Sequence, residues 1–377
     1  MKHPLSRTFG SILIATIVPS GLAFADDCTL PALDKDVTLR AECIYHSGMQ
    51  ITRPVRVDCN GATLEGDNSR ATGILIDSRG ESLQGVEIRN CRVHGFTKLG
   101  IGIGWSVPDG KKREIVGGDD PQRYVSRTPS GTHLIGNTIE DIGGVGIYID
   151  DHATGTVIDN TTVQRVSGAG IYLEHDSSGT SIVRSRILQS GWDGARPMQP
   201  GIAIDASADN RIEASTISGN GLGGVFLYRN CQERGLTDPE SVPRAHGANG
   251  NRIQGNKIDG RVGVWVGSRM SRNMRSMQCG RTPYYKNADM DVVLDEARGN
   301  YVSGNTFGGP ANWGMIVEDD DTVVEHNAFV GPFANGSLLV GTKYRNQVLN
   351  LPVRGTVLRD NRTPEKQTPH WEFGSTQ

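Results

Sequence analysis

Two short phrases alternate along most of this 377-residue chain, and their spacing leaves few folds open. The first is a Gly or Asn turn followed by Asn-x-aliphatic. It appears as Gly136-Asn137-Thr138-Ile139, Asp159-Asn160-Thr161-Thr162-Val163, Gly255-Asn256-Lys257-Ile258, Gly304-Asn305-Thr306-Phe307 and His326-Asn327-Ala328-Phe329. Degenerate copies start at Asn90, Ser185 and Ser215. The second is Gly-aliphatic-x-aliphatic, as in Gly146-Ile147-Tyr148-Ile149, Gly170-Ile171-Tyr172-Leu173, Gly201-Ile202-Ala203-Ile204, Gly224-Val225-Phe226-Leu227, Gly263-Val264-Trp265-Val266 and Gly314-Met315-Ile316-Val317. Where no insertion intervenes, the period is about 22–25 residues. Alternation of period two inside each phrase means strands. Strands this short and frequent can bury their apolar side only by stacking in parallel, coil upon coil. The expected fold class is therefore all-β, a right-handed parallel β-helix of about ten coils. A leucine-rich repeat has a similar period, but its Leu scaffold is missing.

Composition agrees. There are 49 Gly residues, as many tight turns require. The formal charge of −3 gives no reason to expect nucleic acid as a partner. Lys2, His3 and Arg7 precede an uncharged stretch from Ser11 to Ala23, and Ala23-Phe24-Ala25 is a small-x-small cleavage site. That pattern predicts a signal peptide over residues 1–25 and a periplasmic or secreted product. The apolar run is too short to span a bilayer, so no membrane span is expected. A cap over 26–50, the helix over 51–361 and a polar tail over 362–377 complete the division. Six cysteines follow the cleavage site, an even number suited to disulfides in an exported chain. Proximity suggests Cys28–Cys43, Cys59–Cys91 and Cys231–Cys279.

These repeats resemble the parallel β-helix family that includes pectate lyases, polygalacturonases and alginate-modifying enzymes. The resemblance runs from about Ile51 to Asn361. It implies a fold more than an activity.

Within each second phrase the aliphatic residues should point inward and form two ladders. Their alternating partners form two outer columns. One reads Tyr148, Tyr172, Ala203, Phe226, Trp265, Ile316; the other reads Asp150, Glu174, Asp205, Tyr228, Gly267, Glu318. Aromatics beside acids on a solvent-facing surface suit sugar rings and their hydroxyls. An isolated outer acid would be ordinary. Acids on successive rungs repel, and a site that tolerates this is more often functional. The richest point is Asp150-Asp151-His152, followed one coil later by Glu174-His175-Asp176. There a carboxylate could orient an imidazole for acid–base work, or carboxylates could hold Ca²⁺. The run Glu318-Asp319-Asp320-Asp321 is a second acidic cluster, best read as a solvated turn.

Three coils carry long insertions, from Trp105 to Gly131, Asn230 to Gly250 and Ser268 to Gly299. All leave after the outer-column strand, so they should wall a cleft beside it. Arg229, Arg234, Arg244, Arg269, Arg272, Arg275 and Arg281 gather in or beside two of them. Arginine suits a planar carboxylate, which points to an anionic polysaccharide as partner. Such a glycan allows removal of the C5 proton next to its carboxylate, giving β-elimination or C5 epimerisation. His152 or His175 is the candidate base and Tyr148 or Tyr172 the proton donor, with Tyr228, Arg229, Trp265 and Arg269 gripping the chain.

Asp150-Asp151-His152 also resembles the Asp-Pro-His-acid motif of β-helix alginate C5-epimerases. Asp150 and His152 match its spacing, while the Pro and final acid are absent. That resemblance implies that Asp150 and His152 form the proton-abstracting pair. Two other readings stay open. Asp150, Glu174 and Asp205 could act as paired carboxyls of a glycoside hydrolase: neighbouring rungs about 5 Å apart suit retention, and alternate rungs about 9.5 Å apart suit inversion. The polygalacturonase motifs Asn-Thr-Asp and Gly-His-Gly are missing. The third reading is a non-catalytic glycan-binding or surface-assembly protein.

Overall fold

The computed structural model describes residues 28–232, 244–270, 273–275, 285–286, 291–342, 344–348, 350–364 and 370–371. The expected signal peptide and Cys279 lie outside them. Each coil supplies three strands, and each strand pairs in parallel with its counterpart in the next coil. One stack holds 11 strands, from Val37–Thr38 to Val357–Arg359. A second starts after each Asn turn, where Thr138, Thr162 and Arg186 pair in register. The third carries the outer columns and includes Leu99–Gly104, Val145–Ile149, Ile171–Leu173, Pro200–Asp205, Gly223–Tyr228 and Val262–Val266. In the last coils the second and third strands merge into Thr306–Val317 and Ala328–Val340.

Like stacks on like inside. Ile147, Ile171, Ile202, Val225, Val264 and Met315 pair rung to rung. So do Ile149, Leu173, Ile204, Leu227, Val266 and Val317, and all twelve are fully buried. Burying each such side chain contributes about 1.5–3 kcal/mol. The ladder repeats, so the core lengthens with every coil without widening.

The Asn turns are stitched by a polar ladder. Asn256 Oδ1 accepts from the Ser215 backbone N–H at 2.9 Å, and its Nδ2 donates to the Ile212 carbonyl at 2.8 Å. Asn305 and Asn327 repeat this one and two coils later. In three coils a hydroxyl takes the ladder position: Thr161, where Asn160 was expected, and the degenerate copies Ser185 and Ser215. Thr161, after Asn160, accepts from Asn137 N–H, and Ser185 accepts from Thr161 N–H. Asn160 instead takes the left-handed turn position at φ 48°, which Asn tolerates.

The helix begins earlier than its expected start at residue 51. Val37, Ile44 and Met49 already pair with Val57, Thr63 and Ile74. It also runs into the expected tail, where His370–Trp371 pairs with Leu339 and Val340. Cys28–Cys43 and Cys59–Cys91 are disulfide-bonded. Cys231 is also disulfide-bonded. Among the described residues no helix is long and apolar enough to cross a membrane.

Candidate functional site

The register places the two outer columns as expected: Gly102, Tyr148, Tyr172, Ala203, Phe226, Trp265 and Ile316 are successive partners. Their exposure is not as expected. Glu174, Asp205, Phe226 and Tyr228 point away from the coil yet are at most 7 % exposed. The reason is the insertions, which fold back over this face and supply its counter-charges. Phe226, Tyr228 and Ile316 form a second apolar cluster, with Tyr172 and Trp265 packed at its edge. Solvent-facing columns are thus corrected to a roofed face.

The first insertion forms two helices, α1 (Asp109–Val116) and α2 (Pro121–Val125). α1 drives Lys112 into the face, where it is 1 % exposed. Its Nζ lies 3.1 Å from Asp150 Oδ2 and in direct contact with Asp151 Oδ1. Asp151 Oδ2 sits 2.8 Å from His152 Nδ1. From α2, Tyr124 stacks on the His152 ring. Gly104, the rung below Asp150, has no room for a side chain: a Cβ there would lie 2.3 Å from the Asp150 Cβ.

One coil up, Glu174 accepts from Tyr148 Oη at 2.9 Å and from Arg244 Nη2 at 2.7 Å. Asp205 accepts from Tyr172 Oη at 2.9 Å and the Asn230 backbone N–H at 2.8 Å, with Arg244 Nε at 3.6 Å. Arg269 lies over the Tyr228 ring, 3.8 Å from its centre, and donates to Asn230 Oδ1 at 2.7 Å. The acid column is therefore interleaved with Lys112 and Arg244. Its mutual repulsion is largely cancelled.

A cavity of about 380 Å³ opens where the acid-column strands end. His152, His175 and Asp176 form its floor, and Asp109, Tyr124 and His246 stand around it. His246 Nδ1 is 2.6 Å from Asp176 Oδ1, while His152 Nε2 is 3.9 Å from Asp176 Oδ2. The His152 and His175 rings meet edge to face at 5.9 Å.

The buried charges are pulled in opposite directions. Burial, reinforced by the adjacent Asp151 carboxylate, pushes Asp150 up to about 8 against the pull of Lys112. At Asp151 burial is outweighed by Lys112 and the His152 hydrogen bond, which hold it well below the usual carboxylate range. Glu174 is likewise lowered, because Arg244 and His175 overcome burial. His175 goes up to about 9: burial pulls it down, but the Glu174 and Asp151 carboxylates prevail despite Arg244. At Asp205 burial prevails over Arg244, and its carboxyl rises to about 6.

The structure thus brings Tyr148, Asp150, His152, Glu174 and His175 to one region, with Tyr172 and Asp205 directly behind. Arg229 does not face it. It is buried, paired with Glu296 at 3.0 Å and bonded to the Leu294 carbonyl at 2.7 Å, as a strut of the third insertion. The acidic run after Val317 is not a solvated turn either. Glu318 and Asp319 are buried, and Arg345 ties Asp319 at 3.4 Å and Asp320 at 2.5 Å. Arg234, Arg272 and Arg281 lie outside the described residues. No group of three or more His, Cys, Asp or Glu side chains among the described residues is arranged to hold a metal ion. Sequence reasoning missed Lys112, Tyr124 and His246. The insertions that carry them were visible, but no spacing says which of their residues turn inward.

A stack of parallel coils with a roofed acid–imidazole cavity at one strand end defines the class: a β-helix protein with a built polar site. The chain belongs to the family described as right handed beta helix region, which matches residues 124–351. No curated protein sequence matches the chain. Among solved structures, the periplasmic alginate epimerase AlgG aligns with 13 % identity and a TM-score of 0.50, covering 84 % of this chain and 70 % of its own. A tailspike protein of E. coli bacteriophage HK620 aligns with 11 % identity and a TM-score of 0.50, over 89 % of this chain and 58 % of the tailspike. An alginate lyase from Paenibacillus sp. aligns over 87 % of this chain and 86 % of its own, with 12 % identity and a TM-score of 0.42. At these identities the likeness is one of fold.

Proposed function

We propose that the chain is an exported, polysaccharide-active β-helix enzyme, a lyase or C5-epimerase that removes the proton beside the carboxylate of a uronic acid residue. The observation that carries this reading is the setting of His152. Asp151 is held ionised, and an ionised carboxylate only accepts hydrogen bonds. His152 Nδ1 must therefore carry the proton it shares with Asp151. That leaves Nε2, 3.9 Å from Asp176 Oδ2 on the cavity floor, as the nitrogen placed to meet a substrate proton, as a general base requires.

His175 supplies the second need of such a reaction. With its pKa at about 9 it is cationic at neutral pH, and a substrate carboxylate against it would lose the charge that keeps the neighbouring C–H bond unreactive. Tyr148, whose hydroxyl is raised well above its ordinary range chiefly by burial, holds its proton and can return it to carbon or to the leaving oxygen. The arrangement speaks less for a hydrolase: Asp205 is fully buried and Glu174 is bound by Tyr148 and Arg244. Two disulfides fit an oxidising compartment.

The test is incubation of the purified protein with alginate, pectate and glycosaminoglycans. AlgG, whose fold the chain shares, makes alginate the first choice. Unsaturated sugar ends identify a lyase, and altered proton NMR without cleavage identifies an epimerase. The activity should vanish in His152→Ala and in Asp150→Asn while the fold persists. New reducing ends without unsaturation, or binding without change, would replace this reading with a hydrolase or a binding protein.

A further inference from the structure

We propose that Asp176 and His246 form a proton relay between the His152 base and solvent, an inference that rests on His152 as the proton-abstracting group. When the C5–H bond breaks, its electron pair stays on the sugar and the proton goes to His152 Nε2. Whether the outcome is elimination or epimerisation, His152 finishes the step protonated and must lose that proton before the next turnover. Its two ring nitrogens have different surroundings. Nδ1 faces Asp151, which Lys112 keeps occupied. Nε2 faces Asp176 Oδ2 at 3.9 Å, too far for a direct hydrogen bond but within reach after a small rotation or through one water.

Asp176 is placed to pass the proton on. Its other oxygen is 2.6 Å from His246 Nδ1, and the His246 side chain is 61 % exposed. The proton moves to Asp176 Oδ2; the carboxyl so neutralised, still accepting the His246 Nδ1–H through Oδ1, no longer holds charge on the ring, which gives up its Nε2 proton to water, and proton exchange through solvent then restores the pair. Tyr124 covers one face of the His152 ring, and the edge of His175 meets it on another side. The charged groups around the cavity are Asp109 and Arg113 of α1, Asp119 before α2, and Asp151 and His175 of the coil turns. Of the residues lining the cavity, only Asp176 contacts both His152 and an imidazole in solvent. Asp176 also holds a left-handed backbone at φ 57°. A non-glycine residue rarely adopts that conformation, and it fixes where the carboxylate points.

The experiment compares the wild type, His246→Ala and Asp176→Asn on the acidic glycan that the wild type turns over, at low and high concentrations of imidazole buffer. His246 is exposed, so its replacement leaves the fold intact, which circular dichroism verifies. In low buffer His246→Ala should lower kcat about tenfold and leave kcat/KM nearly unchanged, because only the resetting of the base is slowed. Added imidazole should restore kcat. Asp176→Asn keeps the shape but cannot carry a proton, and should show the same split between kcat and kcat/KM. An active wild type whose His246→Ala variant turns over at full rate in low buffer overturns the relay alone. So does a loss that imidazole does not restore. A wild type inert toward every uronate tested overturns the reading of His152 and the relay with it.

Discussion

Tyr124 lies nearly flat on His152, the ring centres 4.5 Å apart and the planes 18° from parallel. The two residues come from different parts of the architecture. His152 belongs to a coil turn, and Tyr124 to a helix inside an insertion that the coil does not need. The imidazole is held on its edge by Asp151 and on its face by Tyr124, so its orientation depends on the inserted roof.

Tyr124→Leu therefore separates roof packing from site geometry. Leucine keeps apolar contact with Trp105 and Val116, so the loss of stability should stay near the value of the ring stack, about 1 kcal/mol. Turnover should fall about ten- to hundredfold, because a misplaced base is costly even when present. Steady-state kinetics beside chemical denaturation would show it, and an unchanged kcat would mean that the stack does not position His152.

Gly104→Ala should act at a distance of one rung. The added methyl would meet the Asp150 carboxylate, whose nearer oxygen lies 2.6 Å from the ideal Cβ position. Asp150 must move away from Lys112, at a cost of about 1–3 kcal/mol, and activity should drop with it. Full activity in a stably folded Gly104→Ala protein would show that Asp150 need not stay in place.

Stability should fall as the solution becomes alkaline. Asp150 and Asp295, both raised chiefly by burial, keep their protons to about pH 8, while the unfolded chain releases them near 3.8. His175 keeps its proton to about pH 9, against 6.5 when unfolded. Across these windows the native state binds more protons than the unfolded state, so unfolding becomes easier as pH rises. Melting temperatures should decline between pH 6.5 and about 9, and Asp295→Asn should flatten the slope. A melting temperature that rises through this interval would contradict the assignment. Glu174 works in the opposite sense, and its contribution is lost only as pH falls below its ordinary value of 4.5.

Trp265 packs edge-on against Phe226 with ring centres 5.4 Å apart, yet it is only partly buried. Trp265→Ala should cost about 3 kcal/mol from lost packing alone. Trp265→Leu keeps most of that contact and removes the flat ring. Its melting point should change little while glycan binding, measured by calorimetry, weakens. Unchanged affinity in the Leu variant would assign Trp265 to packing only.

The β-helix and its register were legible because period-two alternation and a constant repeat are local properties. Ile147, Ile171 and Ile202 each declare an inward direction, and stacking aligns them. Asp150, Glu174 and Asp205 follow on the outer side of the same strands by simple parity. What parity could not show is that this outer face is covered. Lys112 and Arg244 sit in insertions without repeat, and their contacts are made across 38 and 70 positions of sequence.

The sequence by itself determined the coil, its core ladders, the Asn stitching in most turns and the strand end at which Asp150, His152, Glu174 and His175 gather, because each depends on residues one repeat apart. Only the tertiary structure decided which acids are paired, that His152 is gripped by Asp151 and Tyr124, and that Arg229 is a strut. Those outcomes depend on how long insertions fold back over the coil. That is set by packing and by charge neutralisation in a buried place, and no repeat encodes it.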